Sequence, residues 1–308
     1  MVMDTHDGGV ATAERPIVRA IGSVPPATFI LSSAVFHYLG PSLAVLLFAH
    51  IGPLGVAWLR IASAGVVFLV WRRPLRVLRT ADAPRRRLFL ALGALLAAMN
   101  SLFYLAIDRL PLSTVGAIEF LGVVVLAALG TRTRRNALAL LIAVVGVAVL
   151  SDVRLAAEPL GFVFAFANCV GFMLYVVLGH RIATTTGRED ADAASTRRMM
   201  SGIDQLAACM VIAAVVATPI GIGPALSSFG HPAWLLWGIG VGICSSVIPY
   251  VTDQLAMARL PRATFAFLLA LLPAAGAIIG LVVLRQVPTW RDVIGVSAVV
   301  LAVALRRE

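Results

Sequence analysis

Glu119 stands in an apolar stretch, behind Ala117 and Ile118 and ahead of Phe120 and Leu121. A charge at the centre of a bilayer costs about 2.5–3.5 kcal/mol on insertion scales, so an acid retained there has a task or a partner. The task would be to bind a proton or a substrate amine. The alternative is a structural acid, permanently protonated or paired. Arg60, eight residues after Gly52 in another apolar stretch, can attract a substrate carboxylate or pair with Glu119 or another acid across helices. Asp253, beside Gln254, reads as a gate or proton relay, or else as a helix-end acid. Asp204, beside Gln205, reads as a wet acid near a helix start, and Asp108-Arg109 as a solvated turn pair. Asn100 and Tyr104 are four apart and share one helix face. With Tyr175 and Tyr250 they would offer amide and phenol groups to a zwitterionic solute. The competing roles are interhelical hydrogen bonding and an interfacial aromatic belt. His37 and His180 are further proton-relay candidates. Cys169, Cys209 and Cys244 lie in apolar stretches, form no CxxC pair and read as small buried hydrophobes.

The elements that position these side chains follow from composition. The 308 residues are 60% hydrophobic and 13% charged, with a mean hydropathy of +0.95. Soluble domains have about 45–50% apolar and about 25% charged residues. So little charge cannot cover a soluble surface of this size. A soluble enzyme, a disordered scaffold and a disulfide-rich secreted module are excluded, leaving a polytopic membrane protein. Ten apolar runs are long enough to be spans: 27–48, 52–71, 88–107, 111–130, 136–151, 159–180, 199–220, 233–256, 260–284 and 290–306. Breakers separate most of them, among them Gly52-Pro53, Pro111, Pro159, Gly221 to Pro224, Pro261 and Pro288. The first ~20 residues lack the features of a signal peptide, so the first run is expected to remain as a membrane helix.

The net charge of +10 does not indicate a nucleic-acid partner, because the basic residues sit between the runs. All 25 are arginine, which excludes lysine chemistry. With the N-terminus in the cytoplasm, 20 fall in cytoplasmic segments and four (Arg109, Arg154, Arg285 and Arg291) in external ones; Arg60 lies in a span. This bias predicts a multi-pass membrane protein with both termini cytoplasmic. The longest connection, 181–198, is too short for an ATPase or another soluble catalytic domain. No HExxH, GxSxG or Walker pattern is present. The chain is therefore read as no enzyme, with no cofactor and no metal site. Gly238/Gly242 and Gly276/Gly280 are GxxxG pairs suited to close helix packing.

An internal repeat organises the runs. LAIDRLPLST at 105–114 and LAMARLPRAT at 255–264 share six of ten residues. They lie five spans apart, an odd number, and so on opposite membrane faces. The chain is expected to be an all-α integral membrane protein: ten transmembrane helices as two inverted five-helix repeats. A tail covers 1–26, the first repeat 27–154 and the second 155–308. A central cavity is expected from spans one, three, four, six, eight and nine, with spans five and ten at the periphery.

Several stretches point to a family. They are Gly55-Val56 with Leu59-Arg60; Met99-Asn100 with Leu102 to Leu105; Leu110-Pro111 leading to Glu119-Phe120; Leu174-Tyr175 with Gly179 to Arg181; Ile248-Pro249-Tyr250; and Arg259-Leu260-Pro261 with Thr264-Phe265. In their order and spacing the sequence resembles the EamA-type permeases of the drug/metabolite transporter superfamily, and within them the bacterial threonine and homoserine exporters. The resemblance implies two inverted five-helix repeats and proton-coupled export of small amino-acid-like metabolites. It matches Glu119 to the family's first-half glutamate and Asp253 to an acidic position of the exporters. The chain departs from the family at Leu272-Pro273, where Glu-Pro is common, at Arg285-Gln286, where Gly-Glu is common, and at Val123, often proline.

The expected activity is thus export of a threonine- or homoserine-like amino acid or related metabolite by proton antiport. Glu119 is the leading coupling residue and Asp253 the reserve. The expected partners are a small-molecule substrate, protons and the lipid bilayer, and the chain is compatible with a monomer or a homodimer. The alternatives are a facilitated-diffusion or uptake permease for another small metabolite, and a non-transporting membrane sensor. A membrane enzyme acting on lipids would need histidines and acids clustered at one face, and the five histidines are scattered.

Overall fold

The computed structural model describes residues 26–72, 74–130, 132–151, 158–187, 195–257 and 272–305, without the side chains of 26, 27, 30, 151, 179–187, 195–201 and 254–257. All the regular structure described is helical: α1 (Pro26–Val45), the single turn α2 (Phe48–Ile51), α3 (Pro53–Trp71), α4 (Pro74–Thr80), α5 (Ala83–Ile107), α6 (Leu112–Gly130), α7 (Arg134–Ser151), α8 (Pro159–Gly187), α9 (Ser195–Phe229), α10 (Pro232–Gly242), a π-helical segment Ile243–Val247, α11 (Ile248–Met257), α12 (Leu272–Leu284) and α13 (Trp290–Leu305). Six helical stretches are long and apolar enough to cross a membrane: Pro53–Trp71, Ala83–Ile107, Leu112–Gly130, Pro159–Leu178, Gly202–Phe229 and Pro232–Asp253. Leu272–Leu284 is a shorter apolar helix. The outward faces are aliphatic, with Val70 83%, Val282 72% and Leu236 68% exposed. Such a surface suits acyl chains rather than water, and helices satisfy their own backbone groups there.

Local chemistry sets several helix ends. Gly52 takes φ +77°, which a side chain would resist, and turns the chain from α2 into Pro53 at the start of α3. Asp82 caps α5 by accepting from the Arg85 N–H at 3.1 Å. Thr289 and Asp292 form a reciprocal cap on α13: the Thr289 N–H donates to Asp292 Oδ2 at 2.8 Å and the Asp292 N–H to Thr289 Oγ1 at 3.3 Å.

Two expectations on boundaries are corrected. The seventh run does not stop at 220; α9 continues through Pro219 and Pro224 to Phe229. Proline removes one helical hydrogen bond, whereas ending a helix in an apolar setting would expose several backbone groups. The 181–198 connection is shorter than expected, because α8 extends to Gly187 and α9 starts at Ser195. The second copy of the repeat, 255–264, and the start of the ninth run lie outside the described residues, apart from the backbone of 255–257.

Helices in lipid gain little from the hydrophobic effect and associate through close packing. α3 lies along α9, α5 along α8 and α9, and α7 along α13. α1 packs on α11, the π segment and α12, while α6 touches α7, α8, α12 and α13. The α7–α13 contact runs through facing glycines: a Cβ on Gly146 would meet the Gly295 carbonyl oxygen at 2.8 Å. Gly238 packs on Leu59 and Gly276 on Tyr38. Cys169 and Cys209 are buried and Cys244 half-buried, all as free thiols.

Candidate functional site

The site begins at the π segment. A π turn is wider than an α turn; it occurs mostly inside α-helices and is frequent at functional sites. Here Ser245 and Ser246 are buried between α1 and α3. The approach requires two glycines: a Cβ on Gly40 would meet the Ser245 backbone at 2.7 Å, and one on Gly242 would meet the Arg60 carbonyl oxygen at 2.7 Å. The turn presents two acceptors to Arg60. Its Nε donates to Ser246 Oγ at 2.9 Å and its Nη2 to the Ser245 carbonyl at 3.0 Å. The guanidinium lies 5.3 Å from the Tyr104 ring centroid, within cation–π range.

Arg60 is buried, and among the described residues no carboxylate lies within 4.0 Å of it. The expected option of an ion pair with Glu119 is therefore corrected: a serine hydroxyl and a backbone carbonyl take two of the arginine's donors instead. Glu119 has a different partner. Its Oε2 accepts from Asn168 Nδ2 at 3.1 Å. Gly122, one turn on, lets α6 lie close against Cys169 and Met173 of α8.

Both charged side chains face one cavity, lined by His37 and Pro41 from α1, Arg60 from α3, Met99, Asn100 and Phe103 from α5, Glu119 from α6, Asn168, Phe172 and Tyr175 from α8, and Tyr250 from α11. The cavity volume is about 40 Å³, room for a few waters. An amino acid would need the walls to part. The Asn100 amide donates to the Leu96 carbonyl at 2.7 Å and neighbours Tyr250. Phe172 stacks on Tyr175 with ring centroids 6.1 Å apart, adding an apolar wall.

Five of the residues singled out in the sequence, Glu119, Arg60, Asn100, Tyr175 and Tyr250, meet at this cavity, with His37 beside them. Tyr104 does not line it. Its ring lies under Arg60 and its buried hydroxyl, close to Ser245 and Arg60, makes no well-formed hydrogen bond. Asp253 lies off the cavity, against Ser33 of α1 and near Tyr175. Asp204 ion-pairs with Arg72 at 2.5 Å, joining α9 to the end of α3. Asp108 and Arg109 pair at 3.3 Å in their turn. The side chain of His180 is outside the described residues. No group of three or more potential metal ligands is found among those described. Of the expected spans, the second contributes Arg60 and the described part of the ninth contributes nothing, while α7 and α13 stay off the cavity. Asn168 escaped the sequence reading, although an amide in the middle of an apolar run is the same signal that marked Asn100.

Comparison with known proteins places the chain in a family. The EamA-like transporter family profile matches residues 194–306. Threonine/homoserine exporter RhtA of Salmonella typhimurium strain LT2 is 30% identical over 284 residues, covering 87% of this chain and 88% of the relative. Its namesake in Escherichia coli K12 is 30% identical over 267 residues, covering 85% and 84%. The chain belongs to the EamA-like transporter family. A solved structure described only as a crystal structure of a protein shares the fold, with a TM-score of 0.54 at 18% identity over 91% of this chain and 96% of the other.

As an EamA-like transporter the chain is a multi-pass membrane protein handling a small-molecule substrate, and its departure at Arg285 has a structural cost. Arg285 ends α12 at φ 54°, a left-handed conformation. Glycine takes this conformation freely, whereas a side chain adds about 1–2 kcal/mol. The Gln286 N–H then bonds back to the Gly280 carbonyl at 3.1 Å, and the Gln286 amide oxygen accepts from the Leu112 N–H at 3.3 Å. Because Arg285 is exposed, Arg285→Gly is expected to raise stability by about 0.5–1 kcal/mol after the entropy cost of glycine. Thermal melting in detergent checks this; a lower melting temperature would show that the arginine side chain matters more than its backbone.

Proposed function

We propose that this protein exports a small amino acid of the threonine or homoserine kind, or a related metabolite, across the inner membrane in exchange for protons. One observation carries the reading: Arg60 and Glu119 share a cavity without pairing with each other. A zwitterion could place its carboxylate on the guanidinium and its ammonium near Glu119 and Asn168. Met99, Phe103 and Phe172 would hold a short side chain. The names of the RhtA relatives point to the same substrate class. Glu119 would alternate between a proton and the substrate amine, and Asp253 stands in reserve. The cavity is lined within one chain, so a homodimer is not needed to complete it. Reconstitution in liposomes with a panel of amino acids and an imposed pH gradient tests the proposal. Threonine and homoserine should accumulate only when the gradient is present; accumulation without it, or of none of the panel, rejects proton-coupled amino-acid export.

The proposed architecture is ten spans in two inverted repeats, with both termini cytoplasmic. The packing supports it. Exchanging each span for the one five places along leaves the contact pattern largely unchanged. The pair α5–α8 exchanges with α11–α1, α9–α5 with α3–α10, and α6–α8 with α12–α1, while α3–α9, α7–α13 and α6–α12 map onto themselves. Reporter fusions at Glu308 and between Gly230 and His231, where α9 ends, are expected to report opposite faces, Glu308 the cytoplasmic one. Both reporting the cytoplasm would refute the span count.

A further inference from the structure

Where α3 gives way to α4, a groove opens that takes no part in the cavity. Leu69, Pro74, Leu75, Arg76, Arg79 and Thr80 line it. Its lining is mostly apolar, and its rim carries the exposed Arg76 and Arg79, one helical turn apart. Among the described residues neither arginine has an acid within 4.0 Å. Seven arginines lie between positions 72 and 87, and the single acid there, Asp82, is engaged in capping α5. Leu69 also belongs to the exposed aliphatic face of α3, together with Val66 and Val70. Apolar surface that faces the bilayer therefore continues into a groove edged by unpaired cations.

We infer that this groove binds one anionic phospholipid. The phosphate sits between Arg76 and Arg79, and an acyl chain runs along Leu75, Leu69 and Val66. A soluble anion would meet the two guanidinia but leave the aliphatic floor uncovered. A zwitterionic lipid would cover the floor but bring its own cation to the rim. The arginine-rich side of the chain is the one expected to face the anionic cytoplasmic leaflet, where basic sites between helices hold acidic headgroups. The inference needs only a bilayer at this face and does not depend on what the cavity transports.

Native mass spectrometry of the full chain, released from micelles holding equal amounts of phosphatidylglycerol and phosphatidylcholine with identical acyl chains, tests it. The parent should retain phosphatidylglycerol preferentially. Arg76→Gln/Arg79→Gln should reduce that preference about 25-fold, each surface arginine being worth about a factor of five toward acidic lipid. Arg86→Gln/Arg87→Gln removes the same charge outside the groove and should keep the preference within about twofold. An unchanged preference in the first variant, or equal losses in both, overturns the site. Displacement of the lipid by millimolar inorganic phosphate also overturns it, because the groove would then be an anion site without a lipid component.

Discussion

Glu119→Gln is expected to abolish accumulation driven by a pH gradient while leaving substrate exchange in place. Glutamine keeps an oxygen to which Asn168 Nδ2 can donate, so the 3.1 Å contact between α6 and α8 can survive. It removes the proton that the acid could carry. One pH unit is worth about 1.4 kcal/mol per proton, or about tenfold accumulation of a neutral zwitterion exchanged one for one. The parent should approach that ratio in liposomes and the variant should remain at one. Counterflow between unlabelled and labelled substrate should persist in the variant, which separates lost coupling from lost folding. If the variant accumulates substrate as well as the parent does, Glu119 is structural and Asp253 becomes the coupling candidate.

Arg60→Lys is expected to raise KM for amino acids by about 10- to 100-fold. Hydrogen bonds to a charged partner are worth about 1.5–3 kcal/mol, and lysine keeps the charge but loses the planar fork. Two of the five guanidinium donors are spent on Ser245 and Ser246, which orients the remaining ones. An ammonium on a flexible stem cannot satisfy both serine contacts and a carboxylate with the same geometry. The readout that isolates binding is a comparison of threonine with its amino alcohol, which lacks the carboxylate. The parent should prefer threonine strongly, and the variant should discriminate little. An unchanged KM together with a fall in melting temperature would make Arg60 a packing residue whose role ends at the π segment.

How much of this was visible in the sequence depended on how rare each signal is. Glu119 and Arg60 stand out because almost nothing around them is charged, and both reach the cavity. Proline-marked starts such as Pro53 and Pro159 also agree with the helices found. The Gly221 to Pro224 stretch failed as a stop signal, because hydrocarbon penalises a broken helix more than a missing bond. The partner of Arg60 was hidden for another reason. The sequence offers carboxylates as partners for a buried arginine, but the acceptors are a serine hydroxyl and a backbone carbonyl that only a π turn presents. Tyr104 shares a helix face with Asn100, yet it points beneath Arg60 rather than into the opening, since a shared face of a helix is wider than one cavity.

The π segment also governs the angular phase of α11. Such a turn absorbs about one additional residue while the helix beyond keeps its course. At 3.6 residues per turn, each residue advances a helix by about 100°. A helical wheel drawn without a break through Pro232–Met257 therefore misplaces Tyr250 and Asp253 by about that angle relative to Gly238 and Gly242. A homologue one residue shorter at Ile243–Val247 would still present the same side chain to the cavity from α11. What it would lose is the carbonyl that holds the Arg60 guanidinium. Length variation at this point can thus change how an arginine on α3 is held without turning α11 or altering the fold.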